Sequence, residues 1–299
     1  MGNRKKLISM FMLVITAFIW GTAFVAQVTG MESIGPLSFC AFRNLIAAVI
    51  MIPYTMLLNK RRCEFLEEDG TETTWKGCMI GGIVCGTVLL GGTTLQQVGL
   101  QYTTAGKAAF ITSIYIVLVT IFGILRSGRI SKATLFAVAM SMTGLYLISV
   151  KGGLSFERGD LIVFAGAFFW AGHILVCDKF SKCCDPLKIS CIQYMVVFLL
   201  SGVLMMMYEE PTLSGVVASW PSLFYAGFFS SCIAYTFQML SQRYVPPTTA
   251  SIIMSMESIF AAFSGMIFLG ETLTAREFIG CVLVFAATVT AQLNEIKRG

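Results

Sequence analysis

The 299-residue chain is 56% hydrophobic and only 12% charged, with a formal net charge of +5. Too little polar surface exists to coat a soluble fold, so soluble enzymes are excluded. Nucleic-acid binding is excluded too, because no basic patch has a folded surface large enough to carry it.

Crossing ~30 Å of hydrocarbon takes ~20 apolar residues in a helix. Ten such runs occur: residues 7–28, 36–58, 77–98, 105–125, 133–150, 161–177, 187–208, 223–240, 250–269 and 275–293. The fold class is therefore an all-α membrane protein of ten transmembrane helices.

Arg4-Lys5-Lys6 before the first run looks like the start of a signal peptide. The run is longer than a signal core and offers no small-x-small cleavage site, so it is read as a retained span. It carries Trp20-Gly21 and, further along, Gln27. The second span opens at Pro36 and holds Arg43, about 10 Å in by helical rise. That arginine could meet a substrate carboxylate, but the favoured expectation is that it snorkels to the outer interface or pairs with Glu257. Residues 59–76, dense in both signs of charge, read as a solvated cytoplasmic loop.

The third span is rich in glycine (Gly82, Gly86, Gly91, Gly92), which lets helices approach closely, and carries Gln96. Tyr115 lies within the fourth, and Lys107 near its start is expected to snorkel. KGGLSFERGD, residues 151–160, reads as the boundary between halves. The sixth span pairs Trp170 with His173, the one histidine, which can titrate near neutral pH or simply pack. The ten cysteines form no C-x-x-C pair, and the vicinal Cys183-Cys184 reads as loop filler rather than a metal or redox site. In the eighth span Ser231, Tyr235, Gln238 and Gln242 share a face. In the ninth Glu257 stands near mid-span on a face with Ala250, Met254, Ala261 and Ser264. A charge there costs on the order of 3 kcal/mol unless it faces a partner or a wet cavity, so it marks a functional site.

The halves repeat. Trp20-Gly21 and Pro36 recur at one spacing as Trp170-Ala171 and Pro186, with Gln193 in the place of Arg43. At a slightly shorter spacing Gln96, Ala108, Phe110, Ile111, Ser113 and Gly123 recur as Gln238, Ala250, Ile252, Ile253, Ser255 and Gly265, which puts Tyr115 in the place of Glu257. The division is residues 7–150, a linker at 151–160, and 161–293. Five spans per copy make the second copy enter from the opposite side, so the repeats have inverted topology, a hallmark of secondary transporters with a site near the midplane. Lys and Arg crowd one set of loops and leave only Lys107, Lys151, Arg158 and Arg276 on the other, which places both termini in the cytoplasm.

Candidate pocket residues are Trp20, Gln96, Tyr115, Trp170, His173, Tyr235, Gln238 and Glu257. No nucleotide-binding loop, zinc-protease or serine-hydrolase motif is present, so no cofactor and no ATP-driven step are expected. The expected partners are a small-molecule substrate and the bilayer, with a coupled proton as a candidate third. The competing reading is a membrane-embedded enzyme that acts on a lipid-linked substrate through Glu257 or His173; polar groups clustered at one interface would favour it.

The paired repeats, the Trp-Gly of the first span, the Pro36 to Arg43 spacing, LQQVGLQYTTAGKAAFITSIY and SMESIFAAFSGMIFLGE together resemble the drug/metabolite transporter superfamily, in particular its EamA-type branch. The resemblance implies a ten-helix plasma-membrane carrier with a central cavity, often an exporter of amino acids or other small metabolites. Ser258, where the family commonly has proline after the acid, and Tyr115-Ile116 in the matching turn of the first half depart from the pattern and leave the local helix bend open.

Overall fold

A computed structural model describes residues 2–68, 74–103, 105–127, 130–150, 157–269 and 272–298. The helices are α1 (Gly2–Gly30), α2 (Pro36–Glu68), α3 (Trp75–Leu100), α4 (Ala105–Thr112), α5 (Tyr115–Ser127), α6 (Lys132–Ser149), α7 (Arg158–Cys183), α8 (Pro186–Tyr208), α9 (Leu213–Ala218), α10 (Trp220–Phe224), a π-helical segment (Tyr225–Tyr235), α11 (Thr236–Gln242), α12 (Pro247–Met254), α13 (Glu257–Leu269) and α14 (Ala275–Arg298). Among the described residues these supply ten spans long and apolar enough to cross a membrane.

The packing has a two-fold pattern. α3 lies on α7 as α1 lies on the π-helical segment and α11; α2 meets that segment as α8 meets α3; α1 contacts α12 and α13 as α7 contacts α4 and α5. α2 pairs with its counterpart α8, and α6 with α14. With an odd number of crossings per unit, such an axis lies in the membrane plane and the two units are inverted. Lys6 near the start of the chain bonds Glu295 near its end at 2.6 Å, so both termini lie on one face of the bundle.

Glycine sets the closest approaches. A Cβ on Gly82 or Gly86 of α3 would run into Ile192 or Val196 of α8, and one on Gly91 into Phe169 of α7. With no side chain in the way, α3 lies flush against both helices.

The start of α2 is tied to the second repeat. Glu209, just after α8, accepts hydrogen bonds from the backbone N–H groups of Leu37 (2.9 Å) and Ser38 (2.8 Å) and from the Ser38 hydroxyl (2.6 Å). A carboxylate suits that position, since the first N–H groups of a helix lack internal partners and the helix dipole is positive there.

Three expectations need correction. Residues 59–68 continue α2 as helix instead of forming a loop; the rest of the expected loop to residue 73 lies outside the described residues. α7 begins at Arg158, inside the stretch read as linker, and residues 151–156 lie outside the described residues. The fourth and ninth spans are not continuous: each breaks into two half-helices, at Ser113-Ile114 and at Ser255-Met256. The expectation for Lys107 falls on a side chain outside the described residues.

Candidate functional site

Both breaks occur without proline, at equivalent serines. After each, the backbone tightens into 3₁₀-type bonds, Ile116 N–H to Ser113 C=O at 3.0 Å and Ser258 N–H to Ser255 C=O at 3.2 Å. The serine hydroxyls turn back on the preceding turn, Ser113 Oγ to the Ala109 carbonyl (2.8 Å) and Ser255 Oγ to the Ile252 carbonyl (2.7 Å). Back-bonding of this kind competes with the helix ladder and bends it. Neighbouring helices supply further groups: Ser141 of α6 meets Ser255 Oγ at 3.1 Å, and Thr288 of α14 donates to the Ile252 carbonyl at 3.4 Å. An irregular backbone within a membrane is tolerated where neighbours satisfy it in this way. Tyr115 and Glu257 consequently open the second half-helix of each pair.

α1 crosses α13 at this break. A Cβ on Gly21 would come within 2.5 Å of the Glu257 carbonyl oxygen, so the absence of a side chain there is what brings the two helices together. The π-helical segment supplies the facing wall. Its Ser230 and Ser231 hydroxyls both face α2, where they accept hydrogen bonds from Arg43. The wider π-helical turn is invisible in the apolar pattern and was not expected from sequence.

Between these elements lies a cavity lined by Trp20, Gln96, Tyr115, Trp170, Tyr235, Gln238 and Glu257, together with Gln27, Arg43, Thr93 and Ser230. About 50 Å³ of it is open to the centre of a water molecule, within about 600 Å³ not filled by atoms; one water needs ~10–15 Å³ on the first measure, so several fit. Seven of the eight expected pocket residues thus share one space. His173 does not line it: it is 1% exposed behind the aromatic wall, with Nε2 3.2 Å from Gln193 Oε1 and 3.4 Å from Cys177 Sγ. Its ring meets Trp170 and Tyr235 edge-on, the arrangement of a packing and positioning residue.

Tyr235 centres the aromatic wall, 4.9 Å from the Trp20 ring and stacked on Trp170 at 6.3 Å. The Trp20 indole donates to the Ser230 carbonyl at 3.3 Å. Gln238 Nε2 donates to Gln242 Oε1 (3.1 Å), and Gln242 Nε2 donates to the Ile174 carbonyl (2.9 Å), which ties α11 to α7. Trp170 Nε1 and Gln238 Oε1 have no protein partner among the described residues. Leaving such buried groups unpaired costs about 1–3 kcal/mol each.

Arg43 departs from expectation. It neither snorkels nor pairs with Glu257: it is 3% exposed, and Nε and Nη2 donate to Ser231 Oγ (2.9 Å) and Ser230 Oγ (3.0 Å). The signal that singles out Glu257, a charge inside an apolar run, applied equally to Arg43; its distance from the span's end made snorkelling look sufficient.

Cys183 is exposed and Cys184 buried, their sulfurs 3.9 Å apart. Burial, and next the charge of Cys183, push the Cys184 thiol up to about 12, so it stays protonated and a poor ligand or nucleophile near neutral pH. Among the described residues no group of three His, Cys, Asp or Glu side chains could hold a metal ion.

Comparison with known proteins gives the same architecture a family. An uncharacterized transporter of Archaeoglobus fulgidus is 27% identical over 97% of this chain and 87% of its own length. Uncharacterized transporter YwfM of Bacillus subtilis is 24% identical over 94% of this chain and 92% of its own. A 69-residue stretch, 23% of either chain, is 39% identical to the threonine/homoserine exporter RhtA of Escherichia coli. A solved crystal structure superposes with a TM-score of 0.78 over 97% of this chain and 98% of that one; at 15% identity it shows a shared fold. The EamA-like transporter family matches twice, over residues 7–150 and 157–291. A multi-pass bundle with that double match across nearly its whole length is a transporter, and the chain belongs to the EamA-like transporter family.

Proposed function

We propose that this transporter carries a small organic solute across the plasma membrane by alternating access, as a secondary carrier with Glu257 at its binding site and both termini in the cytoplasm. One observation carries the reading: a buried acid stands at the break of a discontinuous span, in a cavity that both repeats enclose. Trp20, Tyr115, Trp170 and Glu257 sit well inside their spans, and the cavity lies between halves related by the packing pattern described above. A site so placed can be exposed first to one side and then to the other by rocking one repeat against the other. That placement argues against an enzyme for lipid-linked substrates, whose polar groups would gather at one interface.

The partial likeness to a threonine/homoserine exporter makes amino acids the first solutes to test, with export the first direction. Neither Glu257 oxygen has a hydrogen-bond partner among the described residues, and neither is sealed from the cavity. A carboxylate in that setting is available to a solute cation or to a proton. The test is flux in proteoliposomes, with and without an imposed pH gradient, for a panel of amino acids, amines and sugars. Flux of at least one solute that depends on intact Glu257 is expected; a reconstituted protein that binds solutes but moves none would overturn the carrier reading.

A further inference from the structure

The cavity follows the two-fold pattern of the repeats except toward one face. Trp20 and Trp170, Phe24 and Ile174, and Tyr115 and Glu257 are equivalent pairs, and both members of each pair line it. Gln27 and Arg43 of the first copy line it too, whereas their equivalents Cys177 and Gln193 do not. Gln27 and Arg43 stand near the end of α1 and the start of α2, away from the termini. Cys177 and Gln193 stand near the end of α7 and the start of α8, toward the face that carries the termini. The cavity therefore extends toward one face of the bundle and stops short of the other.

What stops it is His173. Its equivalent in the first copy is Ala23, so an imidazole stands where the other side of the cavity has a methyl group. The buried ring lies edge-on behind Trp170 and Tyr235, and Nε2 reaches Gln193 Oε1 of α8 at 3.2 Å and Cys177 Sγ at 3.4 Å. Beyond it Cys177 interacts with Cys85 of α3, and the two close with Ile189 and Met239 into one apolar cluster. Since α3 belongs to the first repeat and α7 and α8 to the second, the seal spans the contact between repeats. His173 Nδ1 has no hydrogen-bond partner among the described residues. A buried polar group left unpaired disfavours the closed arrangement, and water met on opening would relieve it.

We propose that His173, held by Gln193, is the gate on the face that carries the termini, and that the solute passes that face along Gln193 and Cys177 when the ring swings aside. This rests on the reading of the protein as a carrier. One repeat rocking on the other about an axis in the membrane plane opens a second route that is the counterpart of the first. The route now lined by Gln27 and Arg43 thus names the residues of the route still shut. His173 governs passage, not affinity, because it touches the wall of the cavity and not its interior.

Cys177 reports on the seal without any solute. Purified wild-type protein and H173A are treated with N-ethylmaleimide, and alkylation at each cysteine is followed by peptide mass spectrometry. Cys177, 1% exposed, should react slowly in the wild type and at least tenfold faster in H173A. Cys40, fully buried on α2 toward the other face, should keep its rate, and H173Q, which can still bond Gln193, should stay near the wild type. A packing role alone would speed both thiols alike, and that result overturns the proposal, as does a Cys177 rate that H173A leaves unchanged. Should H173A not fold, Q193A removes the bond, keeps the ring and should speed Cys177 selectively in the same way. Flux in proteoliposomes separates the gate from the carrier reading. Selective unsealing of Cys177 in a protein that moves no solute sinks the carrier and leaves the seal, whereas flux with the Cys177 rate unmoved sinks the seal and leaves the carrier.

Discussion

Replacing Gly21 by alanine tests the crossing that places Glu257. The added Cβ would lie 2.5 Å from the Glu257 carbonyl oxygen, 2.6 Å from Phe260 Cβ and 2.8 Å from the Ala261 nitrogen. Comfortable contact is about 3.5–4 Å, so α1 and α13 must separate by about 1 Å. Two of the three atoms are backbone and the third is fixed to it, so no rotamer change relieves the clash. Overpacking of this kind costs about 1–3 kcal/mol, and the upper end applies here. Alanine's better helix propensity returns about 1 kcal/mol, which leaves a net loss of about 2 kcal/mol. Gly202 in α8 is the control, since its Cβ would meet nothing within 4 Å and only the propensity gain of about 1 kcal/mol remains. The two variants should thus differ by about 3 kcal/mol, or on the order of 5–10 °C in the midpoint of thermal unfolding for a chain of this size. The assay is thermal unfolding of the purified variants in one detergent, followed by intrinsic tryptophan fluorescence. Should G21A melt within a degree of G202A, the close crossing at the ninth-span break does not exist as described.

Three further outcomes are expected. E257Q should lower flux at least tenfold while membrane insertion and melting temperature are retained, because the carboxylate makes no structural hydrogen bond among the described residues; wild-type flux in this variant removes Glu257 from the mechanism. E209A strips three hydrogen bonds from the start of α2 and should destabilise by about 2–3 kcal/mol, with E209Q recovering part of it; equal melting of E209A and wild type would refute the cap. Epitopes fused to the two ends should be accessible from the same side of the membrane in inside-out and right-side-out vesicles, as the Lys6 to Glu295 pair requires, and opposite accessibility would contradict the packing of α1 on α14.

Apolar run length was enough to place ten spans, because a helix in lipid must be long and predominantly apolar whatever its neighbours. The duplication was equally legible, since Trp20 and Trp170, Pro36 and Pro186, Ser113 and Ser255 each recur in step. Glu257 announced itself as the wrong residue for its surroundings. Position along a helix, however, says little about which way a side chain finds its partners. Arg43 could reach the interface by length alone, and only the neighbouring π-helical turn shows why it stays inside. His173 stood beside Trp170 in the chain, yet the rotation of α7 puts one on the cavity and the other behind it.

The amino-acid sequence by itself determined that this protein lives in a membrane, how many times it crosses, and that its two halves descend from one plan threaded in opposite directions. Those are properties of local composition and period, which lipid enforces on each segment separately. Only the tertiary structure decided where helices break, which polar faces converge, and that Arg43 and Glu257 meet one cavity without meeting each other. Those depend on the distance and rotation between helices, set by glycine contacts, serine hydroxyls and widened turns whose partners are far away in the chain.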